Sequence, residues 1–302
     1  MRNRSSSFFG QINITAQAWV DSFFTSENSS FSILAEKVLL FSLWVIGIVQ
    51  WGNFLNWGKI NFYLGDWFDI TGPRLFYTRN VLLNGSLPLH VAVENGWKGV
   101  TDRFLSIPDI LLSPQILLMK FVSPGLFVLF NGLILFSIGY VGLLLIRRKY
   151  RLSMATFTVV FFLFNFNGHI SAHLAVGHVT WMGYFLLPFF VLLVLDTPRK
   201  DYLWPWVMKI TLISVLIFLQ GSFHLFVTCL IFLGVLLLFS RTYRKASFLA
   251  ILFSTLGSMI RIAPIAITSR DLKVGFLSGF TNIGEFMSGL VRLIQPTSIK
   301  NK

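Results

Sequence analysis

From residue 152 to residue 195 the chain has no Asp, Glu, Lys or Arg, a run of 44 residues. In hydrocarbon every backbone N–H and C=O needs an internal partner, so apolar runs of about 20 residues become helices. This run is too long for one span and suits two, joined by a tight turn near residues 165–180. Residues 38–58 and 121–146 are also uncharged, the second with a start near Pro124. Between Asp201 and Arg241 the only charge is Lys209, which fits two more spans turning at Gln220, Gly221 and Ser222. Residues 246–268, carrying Arg261, make a seventh. Only 12% of the residues are charged, against about 25% in soluble domains. The expected fold class is all-α, a polytopic transmembrane helical bundle of seven spans with a large first outer loop.

The net charge of +13 is distributed as clusters between apolar runs, not as one stripe. Arg147, Arg148, Lys149 and Arg151 follow the second span, Arg199 and Lys200 the fourth, and Arg241, Arg244 and Lys245 the sixth. With seven spans they all fall on the side of Arg2 and Arg4, which the positive-inside rule makes cytoplasmic. Nucleic acid is therefore not an expected partner, and the lipid bilayer is. Residues 1–37 form a cytoplasmic N-terminal segment, in which Ile12, Ala16, Trp19, Val20 and Phe23 recur at the spacing of an interfacial helix. Residues 38–268 form the transmembrane domain, including an outer loop over 59–120, and residues 269–302 an outer-side segment. Cys229, the single cysteine, excludes an internal disulfide.

Polar residues gather on the other side. Asp66 and Asp69 open the outer loop, and a short helix is expected over residues 73–83 with Pro73 in its first turn. Three residues apart, the two carboxylates can face one way on a helical turn. His169, His173 and His178 lie in the turn between spans three and four, and His224 just past the turn between five and six. Ionisable groups near a bilayer are costly and mark sites or pathways. The imidazoles admit three readings: a metal site from the four-residue step His169–His173, turn residues bonding backbone, or recognition of a polar substrate. No HExxH is present, and no Asp or Glu lies within 152–195. Arg261 either snorkels to the interface or pairs with a phosphate or Asp66. Phosphate loops, dinucleotide fingerprints and the G-x-S-x-G elbow are absent.

In order along residues 36–290, several short motifs resemble the membrane glycosyltransferases of the GT-C fold, in particular a broad bacterial and archaeal group of polytopic members. They are Gly65-Asp66 opening the outer loop; Asn84-Gly-Ser-Leu-Pro88; Ile107-Pro108 and Ser113-Pro114; Phe166-Asn-Gly-His169; Gly177-His-Val-Thr-Trp181 with Leu187-Pro188; and Gln220-Gly-Ser-Phe-His224. The resemblance implies a sugar donor on a polyprenyl phosphate and an outer-face acceptor that is a glycan, lipid or protein. It further implies a prokaryotic plasma membrane location. By position Asp66 is the catalytic base and Asp69 second to it. Arg74, Arg261 and the imidazoles of His169, His173, His178 and His224 are then the candidates for holding substrate, the leaving phosphate above all. No metal ligands are assigned, although a divalent ion, Mg²⁺ or Mn²⁺, remains an open cofactor. The chain departs from the family in two ways. It has fewer spans, as a truncated member would, and Asp66-Trp-Phe-Asp69 replaces a tandem acidic pair. The alternatives are a non-catalytic membrane scaffold and a lipid or polysaccharide transporter, which would place polar residues near the bilayer midplane.

Overall fold

The computed structural model describes residues 23–24, 33–87, 110–198 and 203–269, and among these there is no strand. The interfacial helix expected before Phe23, the outer-loop stretch 88–109 and the segment after residue 269 lie outside the described residues. The helices are α1 (Ile33–Phe54), α2 (Gly72–Leu83), α3 (Pro124–Tyr150), α4 (Met154–Asn165), α5 (Gly168–Ala175), α6 (Leu187–Val194), α7 (Leu203–Leu219), α8 (Phe223–Phe239), α9 (Arg244–Gly257) and α10 (Met259–Ser269). Tighter 3₁₀ turns cover Asn56–Gly58, Ile110–Leu112, Pro114–Lys120 and Val179–Leu186, and a wider π-type turn covers Trp67–Thr71.

Three segments, Leu34–Phe54, Pro124–Tyr150 and Met154–Ala175, are long and apolar enough to cross a membrane. α3 shows why such helices do not suit water. One face, with Phe127, Val128, Leu135 and Phe136, is buried in the bundle. The other exposes Leu126, Phe130, Ile134, Ile138, Val141 and Leu145. A helix apolar all round has no face for solvent. α7 likewise exposes Trp204, Met208 and Leu212, and α9 exposes Phe248, Leu252 and Leu256.

α1 and α3 run antiparallel, tied along their length. Glu36 pairs with Arg147 at 2.6 Å, the Tyr140 hydroxyl donates to the Leu40 carbonyl at 2.6 Å, and Trp44 Nε1 donates to Ser137 Oγ at 3.1 Å. Where α1 ends, a Cβ added at Gly125 would stand 2.1 Å from the Gly58 carbonyl oxygen, so the backbones touch there. α9 packs on α7 and α8 and buries small residues at four-residue spacing, Ala246, Ala250 and Ser254, a pattern that lets apolar helices approach closely without a hydrophobic driving force. Polar side chains are turned inward. Gln115 bridges Asn131 (2.9 Å) and Gln220 (3.1 Å) inside the bundle.

Two of the apolar stretches are more broken than the sequence suggests. The 152–195 run forms four short helical pieces because Asn167 caps a new helix, its side chain accepting from His169 N at 3.0 Å. Gly177 then turns the chain at φ +105°, and Pro188 starts α6. The 246–268 stretch breaks at Ser258, so α9 and α10 are separate helices.

Candidate functional site

The two ends of the bundle differ. α3 delivers Arg147, Arg148 and Lys149 to one end, where Glu36 at the start of α1 and Asp196 after α6 meet them. The loops after α1, α4 and α7 lie at the other end, and there the loop after α1 docks onto the turn after α5.

That docking rests on backbone chemistry. The last carbonyls of a helix have no intrahelical donor. Trp67 Nε1 donates to the Ala175 carbonyl at 3.0 Å, and Thr71 Oγ1 donates to the Gly177 carbonyl at 2.7 Å. Gly177 is required at this contact: a Cβ there would lie 2.8 Å from the Trp67 nitrogen. The Trp67 ring is buried edge-on to Phe62. Anchored on both sides, the loop presents Asp66, which begins the π-type turn, to His178, which begins the 3₁₀ stretch.

Asp66 Oδ2 and His178 Nε2 are 2.5 Å apart, and each side chain is about one-third exposed, at 36% and 35%. His178 Nδ1 lies 3.0 Å from His173 Nδ1. His173 stacks on Trp181 with ring centres 4.1 Å apart and planes 9° apart. His169, one turn earlier on α5, meets His173 edge-on at 4.6 Å and Trp181 at 5.0 Å. His224, at the start of α8, stacks on Trp181 at 5.7 Å. One carboxylate, four imidazoles and an indole thus form a continuous polar-aromatic cluster from three separate stretches of chain.

The other candidates lie apart from this contact set. Asp69 is exposed on the π-type turn and its carboxylate has no partner among the described residues. Arg74 stands half-buried in the first turn of α2. Arg261 is 1% exposed on α10, buried and not snorkelling. Among the described residues no group of three or more His, Cys, Asp or Glu is placed to hold a metal ion.

Two clefts flank the docked loop and share Ile60 and Asn61. One, of about 240 Å³, is lined by Lys59, Asn56, Trp67 and Ala175. The other, of about 330 Å³, is mostly apolar, with Phe62, Tyr63, Phe68, Pro73 and Phe76 in its wall. The sequence alone did not point to Trp67, Thr71 or Gly177 as parts of the site. A Trp directly after Asp66 and a Gly directly before His178 were the available signals.

Compared with protein-family models, with curated proteins and with solved structures, the chain matches none.

Proposed function

We propose that the chain is a membrane glycosyltransferase of GT-C type. It transfers a sugar from a polyprenyl-phosphate donor to the hydroxyl of a glycan, lipid or protein acceptor. The observation that carries this reading is the 2.5 Å contact between Asp66 and His178 beside a cleft walled by aromatic side chains. Glycosyl transfer from a lipid phosphate needs a base for the acceptor hydroxyl, donors for the leaving phosphate and an apolar groove for the isoprenoid. The Asp66 cluster supplies the base. Lys59, which lines the adjoining cleft, and Arg74 are the cations nearest to it in the chain. The Phe62–Phe76 cleft offers the lipid an apolar wall. The direct test is transfer of radiolabelled sugar from a panel of polyprenyl-phosphate donors by the full chain in lipid nanodiscs, wild type against Asp66→Asn. Loss of transfer with unchanged folding supports the reading; full activity in Asp66→Asn overturns it.

The same reading has a topology of seven spans, with a cytoplasmic N-terminus and the Asp66 end on the outer face of a prokaryotic plasma membrane. Its support is the separation of the basic clusters from the Asp/His cluster onto opposite ends of the bundle. A cysteine at Lys149 should resist an impermeant maleimide in intact cells, and one at Tyr63 should react; the buried native Cys229 stays silent. The reverse pattern would put Asp66 in the cytoplasm.

A further inference from the structure

The hydrogen bonds around Asp66 determine where the protons of the cluster reside. A carboxylate only accepts, so its 2.5 Å contact places a proton on Nε2 of His178. In a neutral ring that leaves Nδ1 of His178 bare, because the bond made by one ring nitrogen sets the state of the other. The bare Nδ1 faces His173 Nδ1 at 3.0 Å, so His173 is the donor there and carries its proton on Nδ1. His173 Nε2 is then a free lone pair, with no hydrogen-bond partner among the described residues.

We propose that His173 Nε2 is the proton-accepting atom of this site, with His178 as the relay and Asp66 as a fixed counter-charge. The proposal specifies the base within the transferase reading above, but the protonation pattern does not depend on which group is transferred. The ligand class it calls for is a hydroxyl-bearing molecule whose O–H meets His173.

The proton movement balances. The O–H bond of the ligand breaks as an N–H bond forms at His173 Nε2, and the oxygen keeps the electron pair. The proton on His173 Nδ1 crosses the 3.0 Å gap to His178 Nδ1. The positive charge comes to rest on His178, whose Nε2–H already points at the Asp66 carboxylate, and Asp66 stays ionised throughout. The surroundings favour this direction. A charge left on His173 would sit beside the rings of His169 and His178, whereas on His178 it faces an anion. During transfer the Trp181 face, parallel to His173 at 4.1 Å, attracts the transient cation. Asp66 therefore acts two rings removed from the ligand, one ring further than the orienting acid of a Ser-His-Asp triad.

The test is ¹⁵N NMR of the full chain in lipid nanodiscs, labelled on histidine. Each of the five histidines is assigned by its own His→Gln variant, or by backbone correlation where a variant does not fold. In wild type His173 should show a protonated Nδ1 with a bare Nε2, and His178 the opposite pattern. In Asp66→Asn the His178 pattern should become mixed and His173 should move toward a protonated Nε2. A wild-type His173 with protonated Nε2 and bare Nδ1 overturns the relay, as does Nε2 protonation on both rings, the signature of an ion between two bare Nδ1 atoms. Unchanged patterns in Asp66→Asn overturn the role given to Asp66. Failure of sugar transfer is read in the separate enzymatic assay and leaves these patterns as they are.

Discussion

The two ends of the bundle both concentrate charge and hydrogen-bonding groups, and they hold them differently. At the basic end Arg148, Lys149, Arg151, Arg241, Arg244 and Lys245 are exposed on long side chains. Two ion pairs, Glu36–Arg147 at 2.6 Å and Lys149–Asp196 at 3.0 Å, link helices there. At the other end short or flat side chains are fixed by hydrogen bonds: Trp67 and Thr71 to the Ala175 and Gly177 carbonyls, and Asp66 to the His178 ring. A solvated ammonium can serve by number and placement alone, as a topology signal requires. Proton transfer needs heavy atoms held within about 3.2 Å. On the proposed function, the contrast separates charge that orients the chain from charge positioned to react.

Four substitutions probe that contrast. Asp66→Asn has the largest expected effect. It should lower sugar transfer by roughly 10²–10⁴-fold, as loss of the carboxylate that orients a histidine base does, while the thermal midpoint in nanodiscs stays near wild type because the carboxylate is one-third exposed. Gly139→Ala should act on the frame and not on the site. Its Cβ would stand 2.5 Å from the Phe185 carbonyl oxygen, and overpacking of this kind costs about 1–3 kcal/mol, read as a lowered unfolding midpoint.

Gly177→Ala is intermediate and the sharper probe. It forces φ +105° on a side-chain-bearing residue and drives a Cβ against Trp67, so hydrogen exchange at residues 66–71 should accelerate. Transfer should fall about tenfold for each 1.4 kcal/mol of docking lost. Unaltered exchange would show that the loop is not held by the α5 carbonyls. Lys149→Gln at the basic end should change least. Its pair with Asp196 is exposed, and such pairs contribute at most about 1 kcal/mol. A loss of transfer there as large as that of Asp66→Asn would erase the distinction between the ends.

The sequence marks helix boundaries where punctuation is local. Pro73 after Gly72 starts α2, and Gln220, Gly221 and Ser222 separate α7 from α8, as read from the chain. Long apolar runs are less informative about their own interruptions. Asn167, two residues past the end of α4, caps the next helix through a side-chain bond that no hydropathy window registers. Within the site, the acidic spacing Asp66–Asp69 gave the two carboxylates equal standing, while in the structure Asp66 contacts His178 and Asp69 is exposed. Arg261 reads as an interfacial cation because it follows an apolar run, while the break at Ser258 leaves it buried. The Asp66–His178 and Thr71–Gly177 contacts join residues 112 and 106 positions apart. No periodicity spans such a gap, and the alternation of basic clusters with apolar runs placed the two residues on one side without pairing them.

That separation also sets a timetable for synthesis. A chain emerging from the ribosome exposes Asp66 long before His178 has been translated. In the interval the loop over residues 59–71 has neither the Ala175 nor the Gly177 carbonyl to hold it, and Trp67 has no buried place to go. The reactive end therefore matures only when the chain after α5 has been delivered to the same side as the waiting loop. A released chain truncated at residue 160 should carry α1 and α3 already joined through Glu36–Arg147 and Tyr140–Leu40, with Trp67 still open to a protease that the finished protein excludes.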